Sequence, residues 1–62
     1  MSSNDYIEIR RDGKEYVISH LDMETGKGNE VKRKKGLKMA IEWAQVYERE
    51  YFVEYGLRFK DI

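Results

Sequence analysis

A chain of 62 residues is expected to form a single domain over residues 1–62, because a core this small supports one compact unit at most. It has no cysteine, which excludes disulfides and thiolate metal sites, and twelve basic and twelve acidic side chains leave no net charge. No apolar run approaches the ~20 residues of a membrane span, and the first residues lack the features of a signal peptide. We therefore expect a cytoplasmic protein that does not contact membranes.

Two strands joined by a tight turn are predicted first. The alternation from Tyr6 to Arg10 is typical of a half-buried strand, and Asp12-Gly13 is a strong hairpin signal. Folding about that turn pairs Ile9 with Tyr16. The hairpin then has one apolar face, made of Ile7, Ile9, Tyr16 and Ile18.

The second strand is predicted to continue to about Met23 and to be followed by a loop. A third strand is expected at Glu30 to Lys35, where Val31 is the one apolar residue. A strand this charged belongs at the edge of a sheet, because edge lysines block pairing with other chains.

The longest predicted element is a helix from Leu37 to about Tyr55, with Gly56 as a left-handed cap. Its apolar face has the three- and four-residue spacing of an amphipathic helix and consists of Leu37, Ala40, Ile41, Ala44, Tyr47 and Tyr51. Residues 57–62 alternate and are read either as a fourth strand or as a docked tail. The predicted fold is α+β, a three-stranded antiparallel sheet packed on one C-terminal helix.

A second apolar seam runs along the same helix and includes Met39, Trp43, Val46 and Val53. One three-stranded sheet covers only one side of a helix, so this seam needs another cover. Leu57, Phe59 and Ile62 in the tail are one candidate. The alternative is a homodimer or a partner protein, which makes Met39, Trp43 and Val46 candidate partner-binding residues.

Catalytic and metal signatures are not found in the sequence. His20 has no second histidine, no cysteine and no acid–nucleophile set, so a structural or surface role is expected. Asp22 and Glu24 are two carboxylates without further ligands, which favours solvation over cation binding. We expect no enzyme activity, no cofactor and no metal.

The leading functional motif is the basic run Lys32-Arg33-Lys34-Lys35. Lysines and arginines contact the phosphates of DNA, and a local positive field attracts a polyanion even when the net charge is zero. Regular alternation would place Lys32 and Lys34 on the sheet face that carries Tyr6 and Glu8. The alternative is a solvated edge strand that resists aggregation.

The middle of the chain resembles a known family. Tyr16-Val17-Ile18, Thr25-Gly26-Lys27, the basic strand and Gly36-Leu37-Lys38 ahead of a helix with Ala40 and Trp43 resemble the arm-type DNA-binding domains of tyrosine recombinases. These N-terminal domains are similar to plant AP2 domains, with a three-stranded sheet that lies in the DNA major groove and a helix behind it.

The resemblance covers roughly Tyr6 to Glu50. It departs from the family in its neutral charge and in having no recombinase catalytic domain after it. It implies a free-standing relative, such as a small phage or mobile-element accessory protein. The DNA-facing positions it implies are Arg10, Lys14, Lys32, Arg33 and Lys34.

Two functions are therefore predicted. The first is a non-enzymatic module that binds duplex DNA through the basic strand. The second is a small phage-type interaction or inhibitor protein that binds a host protein through the aromatic helix face.

Overall fold

In the computed structural model, which describes residues 4–61, one four-stranded sheet packs against one helix. The elements are β1 (Asp5–Asp12), β2 (Glu15–Asp22), β3 (Gly28–Lys34), α1 (Leu37–Glu50) and β4 (Leu57–Lys60). The strand order is β3-β2-β1-β4, in which β1, β2 and β3 are antiparallel and β4 runs parallel to β1. The predicted α+β class and the hairpin are confirmed, and the tail forms a fourth strand.

The hairpin turn is centred one residue later than predicted. Asp12 pairs with Glu15, so Gly13 and Lys14 are the two central residues. Only the first of them, Gly13, has a positive φ (64°), which is the type II′ rather than the type I′ pattern. The pairing therefore differs from the prediction by two residues. Side chains alternate with a period of two, so this shift leaves every residue on its predicted face.

The core lies between α1 and the centre of the sheet. Its buried residues are Ile7, Ile9, Ile18, Ala40, Ala44 and Val53, with Tyr16, Leu37, Ile41 and Tyr47 packed at its margin. Two alanines are the buried residues of the helix, and their small side chains allow the helix axis to approach the strands closely. The predicted apolar face of the hairpin is confirmed. Most of the predicted helix face is confirmed as well, but Tyr51 is exposed.

The predicted C-terminal boundary of the helix is wrong, since α1 ends at Glu50 rather than near Tyr55. The Val53 N–H donates to the Glu48 carbonyl at 3.1 Å, and Phe52 between them has a φ of 52°. This is a Schellman ending with phenylalanine in the position that glycine usually takes. It turns Val53 into the core at 8% exposure, so Val53 does not belong to the second seam.

The sheet face opposite the helix also buries residues. Val17 and Ser19 are buried there, although no second layer covers them within residues 4–61. Arg33 lies opposite Val17 on the neighbouring strand, and the aliphatic stems of such long charged side chains cover apolar neighbours. We call this side of the sheet the open face. Its buried residues are covered by charged side chains of the sheet itself.

Candidate functional site

Four lysines meet at one end of the molecule. The hairpin turn, the last residue of β3 and the first turn of α1 share this end, because β2 and β3 are antiparallel and the helix begins soon after β3. We define the basic end as Lys14, Lys34, Lys35 and Lys38. None of the four forms an ion pair with another residue of the described range 4–61.

Acidic residues collect at the opposite end, where β1 begins and where β2 and α1 end. We define the acidic end as Asp5, Asp22, Glu24, Glu48, Glu50 and Glu54, with Lys27 and Arg49 as the bases among them. The zero net charge therefore conceals a molecule with one positive and one negative end.

This charge distribution opposes the helix dipole. The first turn of α1 carries Lys38 and no acidic residue, whereas Glu48 and Glu50 lie in the last turn beside Arg49. A helix favours acids at its N-terminus and bases at its C-terminus, by ~0.3–1 kcal/mol for each charge. The charges at both ends of α1 therefore lower the stability of the helix.

The two predicted DNA-facing arginines are engaged with carboxylates. Arg33 binds Glu30 at 2.7 Å, Asp12 at 3.1 Å and Glu15 at 3.3 Å. Its hydrogen bond to Glu30, with further support from Asp12, raises the pKa of the Arg33 guanidinium above its usual value. Arg10 lies 3.9 Å from the Glu8 carboxylate. Both arginines are on the open face of the sheet.

The prediction that Lys32 and Lys34 share that open face is wrong. Lys32 pairs with Ile18 and Lys34 with Tyr16, which puts both on the helix side. A β-bulge between the Ile18 and Ser19 pairs is the cause, because Val31 is an extra residue in β3 and reverses the alternation after it. The five residues implied by the resemblance therefore do not form one surface.

Opposite charges balance on the open face. Its acids are Glu8, Asp12, Glu15 and Glu30, and its bases are Arg10, Arg33, Arg58 and Lys60. The Arg58 guanidinium also lies 5.4 Å from the ring centroid of Tyr6. Carboxylates thus offset the bases of the open face, whereas the four lysines of the basic end have no ion-pair partner within residues 4–61.

A second surface follows the side of α1 that faces β3. We define the aromatic flank as Met39, Trp43 and Val46, which borders a groove of about 380 Å³ lined by Val31, Trp43, Val46, Tyr47, Glu50 and Tyr51. Met39 is 56% exposed and Val46 50% exposed. Trp43 stacks on Tyr47 with ring centroids 5.3 Å apart, and Tyr47 stacks on Tyr51 at 4.4 Å.

Leu57 and Phe59 do not cover the aromatic flank as predicted, and Ile62, the third residue of that prediction, lies outside the described residues. β4 pairs with β1 at one edge of the sheet, whereas the groove lies beside β3 at the other edge. Phe59, at 55% exposure, remains on the surface itself. The flank is therefore open along the described part of the chain.

Sequence reasoning missed a hydrogen-bonded cluster around His20. His20 Nε2–H donates to an Asp5 carboxylate oxygen at 2.5 Å, and His20 Nδ1 is hydrogen-bonded to the Tyr47 hydroxyl at 2.9 Å. The other Asp5 oxygen accepts the Glu54 N–H at 3.1 Å. The alternation from Ile18 already placed His20 on the core side, where a polar ring needs partners.

The cluster changes the acidity of its members. Burial alone would raise the pKa of Asp5, but hydrogen bonds from His20 and from the Glu54 backbone outweigh it and lower that pKa. Burial, together with the nearby Tyr51 and Asp5, raises the pKa of the Tyr47 phenol. The arrangement ties β1, β2 and α1 together at the acidic end, which agrees with the structural role expected for His20.

Comparison with known proteins gave no match to any family model, curated protein or solved structure. Within residues 4–61, no group of three or more histidine and carboxylate side chains is placed to hold a metal ion. No helix of that range is long and apolar enough to cross a membrane. The resemblance to arm-type domains therefore stays a prediction from the sequence.

Proposed function

We propose that the protein binds duplex DNA through the phosphate backbone, using the basic end. The observation that carries this proposal is the concentration of four lysines without ion-pair partners around the N-terminus of α1, in the described part of the chain. The charges at both ends disfavour the helix. Their arrangement is thus better explained by an external anion than by folding.

The mode of binding differs from that of the arm-type domains. The lysines lie at the tip of the molecule, so the protein meets the duplex end-on and its acidic end points away from the phosphates. Lys34 and Lys38 come from different elements, and the positive end of the helix dipole between them adds to the attraction. Phosphate contacts carry no sequence information, so binding is expected to be independent of sequence.

A salt series tests this proposal. If the four lysines neutralise about four phosphates, log K falls with log[salt] at a slope of about −3.6. Replacing Lys14 and Lys34 together by Gln should lower the magnitude of that slope by about 1.8 and weaken binding to all sequences alike. Fluorescence anisotropy with a labelled duplex measures both quantities.

The matched control replaces two bases at the acidic end, Lys27 and Arg49, by Gln, which changes the net charge equally. This variant should keep the slope of the parent. DNA binding that is absent at low salt, or two double variants with equal slopes, would contradict the proposal.

A second candidate is protein binding through the aromatic flank. It is favoured by the exposure of Met39 and Val46 beside a preformed groove, since exposed apolar patches mark interaction sites. Val46→Glu should abolish capture of a partner from a lysate. Gln45→Glu adds the same charge on the neighbouring wet side of the helix and should not. Equal behaviour of the two variants would exclude this surface.

A further inference from the structure

Resting on the second candidate function, we propose that the occupant of the aromatic flank is a second copy of this chain, packed with its α1 antiparallel. The flank and its groove form an apolar stripe between one positive and one negative end. A partner must therefore carry acidic groups beside the basic end and basic groups beside the acidic end that contains Glu50. An antiparallel copy of the same helix presents both.

Two-fold symmetry fixes which residues meet. An axis midway between Trp43 and Val46 places Trp43 against Val46 of the second copy. It places Met39 against Glu50 of the second copy, so that the basic end, with Lys35 two residues before α1, lies beside the acidic end of its partner. Every contact occurs twice, as in any interface in which both copies use the same patch. The dimer then closes on itself, and both grooves are covered.

The dimensions allow this arrangement. The 14 residues of α1 give a helix of roughly 21 Å, and this axis sets residues 39–50 of the two helices against each other over about three turns. The smallest stable interfaces bury about 600 Å² per copy. That is about an eighth of the 4545 Å² accessible surface of the chain. The zero net charge means that no overall repulsion opposes association.

Sedimentation equilibrium and Trp43 fluorescence, across micromolar to millimolar protein without DNA, test the inference. DNA is left out because the basic end takes part in both proposed interactions. The parent should dimerise, and its Trp43 emission should shift to the blue as the indole leaves water. Val46→Glu should stay monomeric, whereas Gln45→Glu should dimerise like the parent.

A charge exchange tests the antiparallel arrangement. Glu50→Lys should weaken the dimer by about tenfold, because symmetry counts each charge contact twice. Lys35→Glu in the same chain should restore it. Each change suits the helix dipole, so neither should lower the melting temperature of the monomer, and weaker association cannot be ascribed to unfolding.

Three results would overturn the inference. They are a parent that is monomeric at every concentration, a Val46→Glu variant that still dimerises, and a charge exchange that fails to restore association. If the parent is monomeric but Val46→Glu still loses a lysate partner, the second copy is excluded while the protein-binding candidate stands.

Discussion

Replacing Asp5 by Asn should destabilise the protein measurably, although Asp5 lies at the start of the first strand. Its carboxylate accepts one hydrogen bond from His20 and one from the Glu54 backbone, and so joins β1 to β2 and to the segment after α1. Hydrogen bonds to a charged group contribute ~1.5–3 kcal/mol. The pair is partly exposed, and Asn still accepts the Glu54 N–H, so we expect a loss of about 1–2 kcal/mol.

The effect should depend on pH in a defined direction. The pKa of Asp5 is lowered from its usual value of 3.8, so its stabilisation is complete above that value and is lost as the pH falls through the lower folded-state pKa. The difference between parent and variant should therefore be full at neutral pH and shrink in acid.

Thermal unfolding followed by circular dichroism measures this difference, since 1 kcal/mol shifts the melting temperature of so small a domain by about 4–8 °C. Glu24→Gln, in the exposed loop at the same end, is the control and should behave like the parent. An Asp5→Asn variant with an unchanged melting temperature would refute the reasoning. So would a difference that grows as the pH falls.

Two further stability predictions follow from the backbone and the core. Phe52→Gly should raise stability by about 0.5–1 kcal/mol, because Phe52 is 84% exposed and its left-handed conformation costs more than the added flexibility of glycine. Phe52→Ala should show no such gain, and a lower melting temperature for Phe52→Gly would contradict this account of the helix end. Ile9→Ala should cost ~2–5 kcal/mol, most of the ~3–5 kcal/mol available to such a domain. A near-parental melting transition for that variant would show that the core is assigned wrongly.

Patterns that are local and repeated predicted the fold well. The alternation in β1 and β2 and the spacing of Ala40 and Ala44 specify which side of each element is apolar. Those sides meet in the structure. The start of α1 at Leu37 was also predictable, because Gly36 separates the charged strand from the helical spacing. Such signals survive a shift in register, as the hairpin shows.

Single-residue irregularities were not predictable in the same way. The bulge at Val31 reverses the side of each later residue in β3, and no residue type in that strand marks it. The Schellman ending has Phe52 in the position where a glycine would mark the end of the helix. The sequence therefore predicts a helix that continues toward Gly56, although α1 ends at Glu50. The predicted DNA site assumes regular alternation along β3. The bulge breaks that alternation, so Arg10 and Arg33 lie on the open face whereas Lys32 and Lys34 lie on the helix side.

The long-range contacts of the acidic end had only a partial signal. The period of β2 put His20 on the core side, but Asp5 and Tyr47 reach it across 15 and 27 residues of sequence. The charge separation between the two ends likewise emerges only when the topology is known, since the chain order interleaves the two groups.

Amide chemical shifts of the isotopically labelled protein, recorded during titration with a duplex at low salt, test the central claim most directly. We predict perturbations centred on Lys14, Lys34, Lys35 and Lys38 that disappear when salt is added. Perturbations centred on Arg10 and Arg33 of the open sheet face, or no perturbation at all, would contradict the proposal that the basic end binds DNA.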